Sequence, residues 1–141
     1  MLAARAALLC GTGGLLALAA TGCASNTSYK NEPRPPSPIV VTASISKDRV
    51  SVSPARFGAG PIDLIITNQT GASQQIVLET RGAGVGVKQS TAPINPRDTA
   101  EIKADLASGR YSVRTSDGGI HPALLRVGRE RASAQNQLLQ P

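Results

Sequence analysis

The chain has 141 residues, a formal net charge of +6, two tyrosines, one phenylalanine and no tryptophan. That length suits one small domain with tails rather than several domains. So few rings exclude a stacking platform for nucleobases or sugars. The basic residues are scattered with no block of five or six, which reads as a solvated surface, not a nucleic-acid-binding arm.

Residues 1–22 begin with Met1-Leu2-Ala3-Ala4-Arg5 and continue through a short apolar stretch to Ala20-Thr21-Gly22. A basic start, an apolar run and small residues before a cleavage point are the parts of an export signal. The run from Ala6 to Ala20 is broken by Gly11, Gly13 and Gly14. It is too short for a permanent span, which needs roughly 20 apolar residues. Ala20-Thr21-Gly22-Cys23 resembles the lipobox of bacterial lipoproteins, with Ala20 where that motif usually carries leucine. The resemblance implies that Cys23 becomes the lipidated first residue of a membrane-anchored protein. It places the protein on the extracytoplasmic side, at the outer membrane if the source has two. The only other cysteine, Cys10, would leave with the leader, so no disulfide is expected and the domain must rest on its apolar core.

Residues 23–38 have little to bury and end in Glu32-Pro33-Arg34-Pro35-Pro36-Ser37-Pro38. They read as an extended, semi-rigid tether. From Ile39 the composition turns to short β-type runs. Strands are expected at 39–46, 49–53, 62–68, 75–79, 99–106, 109–115 and 123–128, punctuated by Gly, Pro and Asn. Residues 81–86 hold three glycines and read as a loop. Seven to eight short strands without a convincing helix predict an all-β Greek-key β-sandwich over 39–128. Residues 129–141 form a polar tail, frayed, with a short helix considered over 131–139.

The order of these pieces resembles a cupredoxin. Gly60-Pro61-Ile62 leading to Asn68-Gln69-Thr70-Gly71 is similar to that family's "G-P-hydrophobic … N-x-x-G" strand and turn. Pro96-Arg97-Asp98-Thr99-Ala100 resembles its "P-G-x-T-A" stretch. Leu106-Ala107-Ser108-Gly109-Arg110-Tyr111 resembles its "L-x-x-G-x-Y" corner, a pattern that also marks immunoglobulin-like sandwiches. The resemblance implies a copper site of two imidazoles, a thiolate and a weak axial thioether. Carried over by position, the first histidine falls at Gln74 or Gln75 and the cysteine at Thr115. His121 matches the second histidine, and Leu124 or Leu125 stands for the methionine. One ligand of four remains, so no cofactor is expected. His121, helped at most by Asp117, is a weak metal candidate.

Other chemistry has less support. One histidine cannot establish a nucleophile triad. Asp98 and Glu101 would face opposite sides of a strand. Gly82-Ala83-Gly84-Val85-Gly86-Val87-Lys88 lacks the spacing and Lys-Ser/Thr ending of a phosphate loop. Asn26-Thr27-Ser28 and Asn68-Gln69-Thr70 match the glycosylation pattern by chance. The expected role is non-catalytic binding at the cell envelope, with partners limited to the membrane and an envelope protein or ligand that the sequence does not name. An accessory metal-handling protein for copper or iron and a structural spacer are the alternatives.

Overall fold

The structure, a computed structural model, describes residues 34–82 and 86–133. The leader, Cys23, the tether up to Pro33, Asn26, and the helix considered over 131–139 beyond Ser133 lie outside the described residues. Eight strands follow in order: β1 (Ile39–Ile45), β2 (Val50–Ser53), β3 (Arg56–Asn68), β4 (Ile76–Thr80), β5 (Lys88–Ser90), β6 (Thr99–Leu106), β7 (Gly109–Thr115) and β8 (Ala123–Glu130).

β3 joins two layers. Its first part, Arg56–Ala59, pairs parallel with β8. Its second part, Gly60–Thr67, pairs antiparallel with β6, and Ile62–Asn68 pair parallel with β1. The first sheet therefore runs β2-β1-β3-β6 and the second β3-β8-β7-β4-β5. The register to β8 shifts between Gly58 and Ala59, and the chain turns over at Gly60, whose φ is +126°. A Cβ at Gly60 would lie 2.6 Å from Pro36 Cγ, so space and backbone both require glycine there.

Between the layers lies one apolar cluster. β1 contributes Val41, Ala43 and Ile45; β3 contributes Ile62, Leu64 and Ile66; β6 contributes Ile102, Ala104 and Leu106. Ile76 and Leu78, Tyr111 and Val113, and Leu125 and Val127 face them from the second sheet. Period-two alternation puts these residues inward and their neighbours outward. The inward Tyr111, Val113 and Thr115 and outward Arg110 and Arg114 follow the alternation read from the sequence. The buried cluster lies wholly between Val41 and Val127, and Glu32–Pro141 forms a compact unit of its own. Expressed alone, this segment has what it needs to fold.

Three expectations change. β3 begins at Arg56, six residues before the strand expected from the apolar pattern. Arg56 to Gly60 has little β-branched character, and its pairing to β8 supplies the strand. β5, unforeseen, has three exposed residues and exists by pairing with Val77–Glu79 at the sheet edge. Finally, the start of the C-terminal tail is not frayed. β8 runs to Glu130, and Arg131 donates through Nε to Gly58 O and Ala59 O, each at 3.2 Å. The guanidinium also donates to Ser37 O and Pro61 O, and Ser133 Oγ donates to Arg34 O. Both ends of the domain are thus held together beside the Gly60 turn, at the tether pole.

Candidate functional site

The opposite pole gathers the ends of β1, β3 and β7, the starts of β4 and β6, and the 116–122 loop. Asn68 organises it. The residue is fully buried, and its Nδ2 donates to Ala72 O at 2.7 Å and Ile94 O at 2.9 Å. Its Oδ1 accepts from Thr70 N at 2.9 Å and Thr70 Oγ1 at 2.7 Å. Its backbone N–H donates to Asp98 O and its carbonyl accepts from Arg97 N. Both side-chain donors and both acceptor positions are used, which is what burial of an amide requires.

The positions carried over from the copper family separate into two groups. The backbones at Gln75 and Thr115 lie one register step apart. Ile76 registers with Thr115, and Ser116 N donates to Gln75 O at 2.8 Å. Gln75 turns its Nε2 to Thr91 O at 2.8 Å, while Gln74 exchanges backbone bonds with Ile94. Thr115 is fully buried, and its hydroxyl has no partner at hydrogen-bonding geometry. Its side chain nonetheless acts on Asp117, holding that carboxyl below its ordinary value together with the Gly119 amide.

His121 does not join them. It is exposed, and its backbone belongs to the β1–β2 turn: His121 N donates to Asp48 O at 3.0 Å and Val50 N donates to His121 O at 2.8 Å. Its neighbour Ile120 is the loop residue that enters the core cluster. His121 instead lines a groove of about 620 Å³ with Arg49, Val52, Pro122 and Leu124. Asp117 directs its carboxylate to its own turn, accepting from Gly119 N at 3.3 Å.

The donor set does not fit a blue copper centre. Two amides and a hydroxyl stand where imidazole and thiolate are needed. Leu125 is core, Leu124 faces outward, and among the described residues no group of three His, Cys, Asp or Glu could hold a metal ion.

The remaining candidates are also dispersed. Asp98 Oδ1 accepts from Thr99 N at 2.8 Å, and Glu101 forms an exposed ion pair with Lys103 at 3.7 Å. Beyond the glycine-rich segment, Val87 N donates to Thr80 Oγ1 at 2.9 Å just before β5.

Comparison with solved structures names the architecture. Auracyanin B superposes with a TM-score of 0.52 at 16% identity, covering 69% of this chain and 94% of that one. The domain is cupredoxin-like in fold. Reduced auracyanin from Roseiflexus castenholzii follows at a TM-score of 0.49 and 15% identity, over 66% of this chain and 98% of that one. A purple cupredoxin from Nitrosopumilus maritimus gives 0.42 and 16%, over 64% and 99%. No family model matches the chain, and no curated protein matches it in sequence. The likeness therefore concerns the fold alone, and the site of this cupredoxin-like domain has to be read from its own residues.

Proposed function

We propose that this protein is an exported lipoprotein that holds a non-catalytic, cupredoxin-like binding domain at the cell envelope. The observation that carries the non-redox part is that Gln75, whose amide is engaged by Thr91 O, and Thr115 occupy the positions at this pole where an imidazole and a thiolate would stand. Neither an amide nor a hydroxyl supplies the covalent, electron-rich bond of a thiolate. The leader ending at Ala20-Thr21-Gly22-Cys23 supports the anchored part. Arg34 and Ser37 are bound at the tether pole, so the chain enters the domain at the end opposite the Asn68–Thr115 pole. That pole is accordingly the place for an envelope ligand or protein partner.

Anchoring should depend on Cys23. Acyl burial stabilises attachment by roughly 0.8 kcal/mol per methylene, and two or more chains make it lasting. Cys23→Ser should abolish lipid labelling and move the protein from the membrane to the soluble fraction. Membrane retention and processing equal to the parent would reject the anchored reading.

The domain from Ala24 to Pro141 should stay colourless with copper(II), since it contains no thiolate. Weak binding through His121 would give feeble absorption that disappears in His121→Ala. A chelator should leave the melting temperature of the protein purified from cells unchanged, because the fold rests on apolar burial. A drop of several degrees would favour the metal-handling alternative.

A further inference from the structure

The arginines that look scattered in sequence are aligned by strand register. On the outer face of the second sheet Arg56 pairs with Arg126, and Arg126 with Arg110. Arg81, one residue past β4, donates its N–H to Arg110 O at 2.8 Å and extends the row. Three of these arginines lie on β3, β8 and β7 and the fourth just past the end of β4, so the row spans about 14 Å at the usual strand spacing. All four are exposed. Like charges directly opposite each other weaken a sheet, and the domain does not neutralise these. Among the described residues the ion pairs are Arg49–Asp48, Lys103–Glu101 and Arg114–Glu79. The nearby Glu79 is thus engaged by Arg114, and Glu130 lines a different cleft with Asp105 and Ser108. A row that costs stability and pairs with no carboxylate among the described residues is matched to an anion outside the domain.

We propose that this face docks on an anionic phospholipid surface, with Arg81, Arg110 and Arg126 holding a headgroup phosphate. These three line a cleft of about 80 Å³ with Tyr111, Leu124 and Leu125. Guanidinium forks match phosphate oxygens in geometry as well as charge. Three further observations select a membrane over a free anion. The row reaches beyond one cleft to Arg56, so it meets several headgroups at once. Leu124 is 52% exposed beside the cleft, an apolar side chain available to the headgroup–acyl boundary. Arg110 also stands next to the Ala107–Gly109 corner, in the half of the domain where Arg34–Ser37 of the tether is bound. The inference adds to the anchored reading and shares with it only the membrane: the anchor would keep the domain near the bilayer, and this face would turn the domain onto it.

The test is co-sedimentation of the Ala24–Pro141 domain with vesicles of phosphatidylcholine alone or mixed with phosphatidylglycerol. Binding is expected only to the mixed vesicles, and it should weaken with added salt. The double variant Arg110→Gln, Arg126→Gln should lower partitioning about 25-fold, roughly fivefold per basic residue. Its melting temperature should equal or exceed the parent's, because like-charge repulsion is relieved. The double variant Lys47→Gln, Lys103→Gln removes the same charge from elsewhere on the domain and should change partitioning less than about twofold. Equal losses in the two variants would show a response to net charge alone and overturn the proposal, as would absence of preference for the anionic vesicles. The domain lacks Cys23, so failure here leaves the anchoring result untouched, and failure of anchoring leaves this one untouched.

Discussion

Tyr111→Ala is expected to destabilise the domain by about 3–5 kcal/mol in urea unfolding, the range for truncating a large buried ring. The side chain is 3% exposed and sits in the core cluster between the two sheets. Its hydroxyl donates to Ala107 O at 2.8 Å, tying β7 back to the corner that follows β6. Tyr111→Phe keeps the ring and loses only that bond, so it should cost about 1 kcal/mol. The difference separates packing from the hydrogen bond. A loss below about 1 kcal/mol in Tyr111→Ala would mean that the ring does not carry the core at this corner. Burial also raises the phenol's pKa above 10.0, opposed by the bond to Ala107. The phenol therefore stays neutral in the folded domain where the unfolded chain's would ionise. Its stabilising contribution is complete below about pH 10 and lost as pH rises through the folded value.

The tyrosine corner was legible because its parts are local: Leu106, Gly109 and Tyr111 lie within six residues, and the tyrosine reaches back only to Ala107. The inward residues of β1, β6 and β7 were legible for the same reason, since alternation is a property of neighbouring positions. What depends on pairing between distant segments was not. Arg56–Ala59 becomes strand through β8, and Lys88–Ser90 through β4. The loop after Thr115 contains both Ile120 and His121, and spacing alone does not say which turns inward. Apolar burial decides for Ile120, while the backbone of His121 is taken by Asp48 and Val50. The arginine row shows the same limit in another form. Residues 56, 81, 110 and 126 are far apart in the chain, and register places them side by side. Arg131 had no local signal at all, because the carbonyls it binds belong to residues 37, 58, 59 and 61.

Asn68→Ala should cost about 3 kcal/mol, because four side-chain hydrogen bonds of about 1 kcal/mol each are lost with partial compensation. The Thr70 hydroxyl, released from Asn68, can give its single proton to Ala72 O at 2.9 Å, and Ile94 O retains Gln74 N at 3.0 Å. Thr70 N is left without its acceptor, in a residue only 8% exposed. Asn68→Asp is the sharper test, since it changes almost no volume. The carboxylate can still accept from Thr70, but its second oxygen would face the carbonyls of Ala72 and Ile94, which offer no proton. Burial and those two oxygens both disfavour the charged form, so its folded-state pKa should rise above the ordinary carboxylate value. The penalty relative to the parent should therefore be largest at neutral pH. It should shrink as pH falls through that raised value, when the protonated acid can again donate to one carbonyl. Urea unfolding of both proteins at pH 7 and in mild acid measures this directly. A penalty independent of pH would show that the amide does not face those carbonyls. Asn68 would then not be what fixes the pole that holds Gln75 and Thr115.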